Sequence, residues 1–273
     1  MGIQWLMSLG KGFMEQTLAI DFGNSRMKIL CGKDFKAIKY GKNFVENFKK
    51  YFYQKVERPI RIIYSSVNEA NSKKIIDFLI AQPDVYIYDI KDLISKQKKV
   101  NINNYFWVGT DRILGLIAAA EEYGAPVVTV DIGTAVTINC IDEKQNFLGG
   151  VIFPGCELQL KSLRENTFLL KNAQLKKKTS DKIIQIYTEM AITSGIINSL
   201  WGGVTYIVDT ILREVYAGNS IPIVFTGGGF EFVLSNFEQW HYEKKFYRKH
   251  LVLEGILVLA RSIKQYLIAF ESR

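Results

Sequence analysis

Two stretches of the chain end an apolar run in a carboxylate and place a glycine two residues later. The first is Leu18-Ala-Ile-Asp21-Phe22-Gly23-Asn24-Ser25-Arg26-Met27-Lys28, and the second is Val128-Thr-Val-Asp131-Ile-Gly133-Thr134-Ala135. Glycine at such a bend lets another group approach the backbone closely. The following N–H groups and short hydroxyls (Asn24 and Ser25 in one turn, Thr134 in the other) form a cradle for an anion. The aspartates themselves repel phosphate. They suit a cation, or waters bound to a cation, that bridges phosphate oxygens. Cation, fixed donors and an aligned acceptor are the parts that phosphoryl transfer needs. A single Asp-x-Gly turn reads equally well as a hairpin whose Asp caps the bend. Two in matching contexts favour phosphate. A third element, Thr226-Gly227-Gly228-Gly229, follows the apolar run 221–225, and a strand running into glycines lets a nucleotide lie against the backbone.

The elements that must position these residues repeat as well. Alternation and apolar runs predict strands at 17–22, 26–31, 35–40, 60–66 and 85–89, with helices near 43–55 and 69–81. Past the midpoint they predict strands at 127–131, 134–142, 147–152 and 221–225, with helices near 156–170, 185–216, 229–238 and 252–268. Each half therefore runs strand-turn-strand-strand and then alternates helix and strand. That is an α/β pattern of mixed sheets flanked by helices, arranged as a duplicated domain. Helical spacing over 109–122 makes that segment a bridge, and Gly124-Ala-Pro126 separates it from the second repeat. The expected boundaries are an extension over 1–13, a first domain over 14–123 and a second over 124–273. No low-complexity linker intervenes, so the halves are expected to pack as one unit with a cleft between them.

Composition narrows the classes. At 273 residues and 48% apolar content the chain can bury a substantial core and is not of the disordered class. The net charge of +8 permits acidic partners, but the lysines fall in scattered pairs and triplets (Lys49-Lys50, Lys73-Lys74, Lys176 to Lys178) without interleaved aromatics. A nucleic-acid surface is not expected from that pattern. Cys31, Cys140 and Cys156 have no metal-ligand spacing, and an odd, sparse count fits a reducing compartment. His241 and His250 lie far from every motif, against a histidine triad or a zinc site. No apolar run stands out as a membrane span.

Read in order, Asp21-Phe-Gly-Asn-Ser25, Gly109-Thr-Asp-Arg112, Asp131-Ile-Gly-Thr-Ala135, Gly149-Gly-Val-Ile-Phe-Pro-Gly155, Thr188-Glu-Met-Ala-Ile-Thr-Ser-Gly195, Thr226-Gly-Gly228 and Leu251-Val-Leu-Glu-Gly255 resemble the type III pantothenate kinases. These belong to the acetate kinase/sugar kinase/Hsp70/actin superfamily. The resemblance runs from Leu18 to about Ala260. It implies duplicated ribonuclease H-like (actin-like ATPase) domains. It also implies ATP-dependent phosphorylation of pantothenate to 4'-phosphopantothenate, the first step of coenzyme A biosynthesis, in a cytoplasmic homodimer. The alternatives are a non-catalytic transcription-accessory protein on the same fold and a kinase of another small alcohol.

The resemblance also implies site residues. ATP would lie on Asp21, Phe22, Gly23, Asn24, Ser25, Arg26, Met27 and Lys28, and on Thr134, Gly227 and Gly228. Asp21 would hold Mg²⁺, directly or through water, and Asp131 a monovalent cation, K⁺ or NH₄⁺. Asp111 would be the general base; Asp at a helix start is otherwise a cap. Gly109, Thr110, Asp111 and Arg112 would bind pantothenate, with its carboxylate on the Arg112 guanidinium, a group that also pairs structurally with neighbouring acids. Thr188 would contact pantothenate across the dimer, where a Thr opening a helix is otherwise a cap. Lys28 would reach phosphate, or be one more solvated lysine. The chain departs from the family in two places. Ser25 stands for the more usual threonine. At the position of a substrate-contacting tyrosine, seven residues before Gly109, it carries Ile102, with Tyr105 nearby and no Asn-Pro following.

Overall fold

The computed structural model of the chain describes residues 17–95, 97, 99–102, 107–176 and 182–262. They divide into two compact units, one holding the residues up to Glu121 together with those from Leu251 onward, the other running from Glu122 to His250.

In the first unit a five-stranded sheet has the order β3-β2-β1-β4-β5. Strands β1 (Thr17–Phe22), β2 (Arg26–Cys31) and β3 (Asp34–Lys39) form an antiparallel meander, while β4 (Ile60–Ser66) and β5 (Val85–Asp89) add in parallel on the other side of β1. β1 is buried on both faces, which is why it reads as a near-continuous apolar run; the edge strand β3 is mostly exposed. Helix α1 (Phe44–Lys55) buries Phe44, Phe48, Tyr51 and Phe52, a spacing that lines one helical face. Phe48 and Phe52 meet Phe78 of α2 (Glu69–Ile80) edge to face. The short α3 (Ile90–Ile94) is capped by Asp89, whose carboxylate accepts from the Lys91 N–H at 2.9 Å. Helix α4 (Thr110–Tyr123) follows, its last two residues counting with the second unit.

The second unit repeats the plan. Its sheet order is β8-β7-β6-β9-β10, built from β6 (Val127–Ile132), β7 (Ala135–Ile141), β8 (Phe147–Pro154), β9 (Ile223–Thr226) and β10 (Lys245–Tyr247). β6, β7 and β8 are antiparallel; β9 and β10 add in parallel beside β6. Helices α5 (Cys156–Asn166), α6 (Thr188–Val215) and α7 (Leu234–Gln239) complete it, with a single 3₁₀ turn at Phe230–Phe232. Strand for strand and sense for sense, the two sheets are the same. The duplication expected from the Asp-x-Gly repeat is therefore present in the topology.

Some expected elements differ. The helix expected over 156–170 ends at Asn166, and that over 229–238 is a 3₁₀ turn followed by the short α7. α3 and β10 are additional; five and three residues are too few to show a period. The last described helix, α8 (Leu251–Ser262), packs on β1, β2 and β4 of the first sheet. It thus belongs with the first unit, not the second as its place in the chain predicts. Gly255 makes that docking possible: a Cβ there would lie 2.7 Å from the carbonyl carbon of Leu114 in α4, and closer still to its oxygen.

By length and composition α6 is apolar enough to cross a membrane, against the expectation that no run would be. Its Ile196, Ile197, Leu200, Val204, Val208 and Leu212 are buried in the core of the second unit, which accounts for that face.

Because Gly255 meets backbone, not a mobile side chain, Gly255→Ala is expected to push α8 off α4. The cost should be about 1–3 kcal/mol, the range for overpacking. A urea midpoint unchanged from the wild type would contradict this close approach.

Candidate functional site

In the first unit the β1–β2 hairpin turns at Gly23-Asn24-Ser25, leaving Asn24 and Ser25 exposed at the tip. Cross-strand register sets Asp21 opposite Lys28 and Phe22 opposite Met27. Phe22 and Met27 are fully buried, so they serve the core and present no surface to a ligand. Asp21 is also buried, and Lys28 Nζ lies 3.5 Å from its Oδ2. Lys28 is therefore neither fully solvated nor pointed away: it is a partly buried counter-charge. Burial pushes the Asp21 carboxyl above the usual carboxylate range, Lys28 pulls it back, and the charge of Asp111 raises it further. The Tyr40 hydroxyl donates to the Gly23 carbonyl at 2.9 Å and so fixes the turn from the end of β3.

The Asp111 charge comes from the start of α4. Gly109 holds the cap place, its carbonyl accepting from the N–H groups of Arg112 (3.1 Å) and Ile113 (3.4 Å). The helix opens at Thr110, so Asp111 lies in the first turn and is not the cap; its Oδ1 accepts from the Arg112 N–H at 3.0 Å. A Cβ on Gly109 would sit 2.6 Å from that same Oδ1, so no other residue fits here without displacing the carboxylate. Thr110 Oγ1 bonds Ser65 Oγ at 2.8 Å, and Ser65 on β4 stands in register with Asp21 on β1. One hydrogen bond thus ties the sheet beside Asp21 to the helix turn that carries Asp111 and Arg112.

The second unit shows the same construction. Asp131 occupies the position on β6 that Asp21 holds on β1, in register with Thr226 of β9. Opposite it on β7 stands Thr137, where the first unit has a lysine. Gly227, at φ +104°, lies against this acid: a Cβ would fall 2.5 Å from the carbonyl carbon of Ile132, and closer to both its oxygen and Asp131 Oδ1. The Gly229 N–H donates to that Ile132 oxygen at 2.8 Å. Thr134 and Gly228 are exposed, and the Thr134 carbonyl accepts from the Gly155 N–H at 3.0 Å.

The remaining expected residues are more scattered. Thr188 is the first residue of α6 and exposed; the cap position belongs to Tyr187, with no side-chain cap bond, so the capping alternative for Thr188 does not hold. Tyr105 lies outside the described residues. Ile102 is buried and offers no surface to a ligand, whereas Trp107, two residues before Gly109, is 80% exposed. An open depression of about 550 Å³ on the second unit, lined by Pro154, residues of α5 and Ile196, contains none of the expected residues. Ser65 and Tyr40 escaped sequence reasoning. Each is a common residue in an ordinary context, and only cross-strand register and a hydrogen bond single them out.

Two repeated sheets of this topology, each ending its first strand in an acid beside a glycine turn, define a protein of the actin-like ATPase fold. An archaeal actin homolog, Ta0583, superposes with a TM-score of 0.50 at 11% identity, covering 92% of this chain and 99% of that one. A Campylobacter jejuni protein proposed as a Baf family transcriptional activator does so at 0.56 and 21%, covering 92% and 98%. At such identities the likeness is one of fold. Sequence goes further: residues 17–210 match the type III pantothenate kinase family, and the chain belongs to it. The type III pantothenate kinase of Thermosipho africanus is 37% identical over 128 residues, 47% of this chain and 50% of that protein. That of Petrotoga mobilis is 32% identical over 188 residues, 64% and 68%. In the first such matches the chain spans about half the length of the curated relatives.

The raised carboxyl of Asp21 has a consequence for stability. An acid that holds its proton more tightly when folded stabilises the fold at pH below its ordinary value near 4. That contribution is lost as pH rises through the raised value. Asp21→Asn, which cannot ionise, is therefore expected to melt at a higher temperature than the wild type at pH 7, the gap closing towards pH 3. Equal melting temperatures across that range would mean that Lys28 fully offsets the burial.

Proposed function

We propose that the chain transfers the γ-phosphoryl group of ATP to the primary hydroxyl of pantothenate, giving 4'-phosphopantothenate. The observation that carries this reading is the first unit's arrangement, in which the bond from Ser65, in register with Asp21, to Thr110 sets the acid of a phosphate-type turn near the acid of Gly109-Thr110-Asp111-Arg112, near enough for the Asp111 charge to raise the Asp21 carboxyl. One acid suits metal and phosphate work, and the other a proton. Family membership supplies the substrate pair.

In the first unit, Asn24, Ser25 and the main chain of the turn at residues 23–26 would hold phosphate oxygens, with Lys28 able to swing from Asp21 to a phosphate. Arg112 would pair with the carboxylate of pantothenate through a planar two-point contact. Asp111 would accept the proton of the primary hydroxyl as its oxygen attacks the γ-phosphorus. Gly109, by leaving room for the Asp111 carboxylate, keeps that base at the helix start. In the second unit, Thr134, Gly227 and Gly228 would hold nucleotide phosphates through N–H groups and a hydroxyl.

The residues present fit the cations this reading implies. Asp21 is a buried acid whose ionisation is opposed by burial and by Asp111, so a divalent cation nearby relieves both. Asp21 would hold Mg²⁺, directly or through water, and Mg²⁺ supplies charge neutralisation on the transferring phosphoryl group. Beside Asp131, the absent side chain of Gly227 leaves a space edged by Asp131 Oδ1 and the Ile132 carbonyl oxygen. A weakly held monovalent cation, K⁺ or NH₄⁺, suits those oxygens.

A homodimer is part of the proposal. Ile183, Ile184, Ile186 and Tyr187, next to Thr188, are 68–96% exposed, as are Phe168 and Leu169 at 81% and 88%. The large apolar side chains leading into the start of α6 suit a surface covered by a second copy. Ile184→Glu with Ile186→Glu is expected to shift the chain to monomer by light scattering; an unchanged mass would reject this face. The buried cysteines, none in a disulfide, fit a cytoplasmic location.

Purified protein should consume ATP only when pantothenate is added, with a further gain from K⁺. Asp111→Asn is expected to lower kcat by roughly a hundred- to ten-thousand-fold while leaving the Kd for ATP within about twofold. Turnover near that of the wild type would reject Asp111 as the base, and ATP consumption with another small alcohol alone would reject pantothenate.

A further inference from the structure

We infer that Ser65 is a positioning residue for Asp111, acting through Thr110; the inference rests on the reading above, in which Asp111 is the base. Ser65 is completely buried near the end of β4, an interior strand of the first sheet, next to the buried Asp21 of β1. A buried hydroxyl costs stability unless it is bonded, so its partner matters. That partner is Thr110 Oγ1, 2.8 Å away at the first residue of α4. Backbone bonds to the Gly109 carbonyl hold the same turn from one side only. Without a link to the sheet, the first turn of a helix frays, because its N–H groups lack intrahelical partners. The Ser65–Thr110 bond supplies the link one residue before Asp111.

The repeat shows that the position, not just the residue, is built for a hydroxyl. Ser65 is in register with Asp21, and Thr226 is in register with Asp131 in the second unit. Thr226 is buried too. Threonine thus fits the corresponding place of the sister sheet, which makes Ser65→Thr a fair conservative control. Ser65 touches neither Asp111 nor Arg112 in any described hydrogen bond, so its effect on chemistry would run through the helix start alone.

Ser65→Ala is expected to lower kcat by about ten- to a hundredfold, the scale on which small misplacement of a catalytic group acts, with the KM for ATP little changed. Ser65→Thr should recover most of the loss. In an Asp111→Asn background, Ser65→Ala should have no further effect on kcat, because there is no base left to position. An equal additional loss in that background would make Ser65 merely structural and overturn the inference. A wild-type rate in Ser65→Ala would overturn it as well.

Hydrogen–deuterium exchange gives a readout independent of turnover. Amides in the peptide covering residues 108–116 should exchange faster in Ser65→Ala than in the wild type and return to the wild-type rate in Ser65→Thr. Unchanged exchange there would mean that Ser65 does not hold the helix start. A wild-type chain that fails to phosphorylate pantothenate refutes the proposed function before any Ser65 variant is made, so the two failures are told apart.

Discussion

The constraint on which the first unit depends is the burial of the Asp21 carboxylate at the end of a central strand. A charge with so little contact with water is unfavourable unless it is compensated. Lys28 supplies the compensating charge, and two further groups shape its surroundings. Lys28 comes from the opposite position on β2. Ser65 brings a polar group into the neighbouring position on β4. Tyr40 pins the turn two residues on, through the Gly23 carbonyl. Lys28 and Ser65 are set by register, and a slip of one residue would turn Asp21 to the other face and leave Lys28 beside Phe22. The site is therefore a property of how β1 pairs, and helices are added afterwards to reach it.

Duplication supplied the same frame twice, and the differences between copies indicate what each was adapted for. The two acids hold equivalent places, and a hydroxyl neighbours each one. In both copies the chain leaving the parallel strand donates back to the last residue of the acid-bearing strand: Val67 N–H to Phe22 at 3.1 Å, Gly229 N–H to Ile132 at 2.8 Å. Against that constant frame, the first copy places a lysine opposite its acid and the second a threonine. The first copy leaves its parallel strand through Ser66 and Val67, the second through Gly227 in a left-handed conformation that only glycine adopts without strain. One acid is thus matched by a side-chain cation of its own. The other faces a place where a side chain has been removed. An internal ion pair and a space edged by oxygens would suit different cations, in keeping with the different roles that the proposed reaction gives two turns alike in sequence.

Much of this could be read from the sequence, and the limits are physical ones. Strand and helix positions were legible wherever a period extended over several residues. β1 and β6 announced themselves as apolar runs ending in Asp-x-Gly, and α1 as aromatics at i, i+4, i+7 and i+8. The duplicated topology followed from the repeat. The docking of α8 on the first sheet was not legible, because a helix last in the chain carries no mark of which sheet it covers. The only clue, Gly255, acquires its meaning from the Leu114 backbone it meets. At the site, acids and glycines were legible because few other residues perform their chemistry. Lys28 was ambiguous because lysine is also the ordinary surface residue of this chain. Ser65 and Tyr40 were invisible for a similar reason: a serine or tyrosine becomes informative only when its partner is known, and those partners lie 45 and 17 residues away in the chain.

In its inferred role, Ser65 would hold the site from a part of the molecule that does not meet the ligand. In the proposed role of base, Asp111 would have to be free to take a proton and could not be held by strong bonds of its own, since each bond to its carboxylate would favour the ionised form and weaken it as a base. Its single described bond, from the Arg112 N–H, is local to the helix turn. The restraint must then come from a neighbour. Thr110 is adjacent in sequence, its hydroxyl faces the sheet, and Ser65 meets it there. Gly109, on the other side, restrains by omission, since it leaves the carboxylate its room. A base flanked by one tethered residue and one absent side chain is oriented without being neutralised or over-bonded, and that combination is what general base catalysis asks of a carboxylate at a helix start.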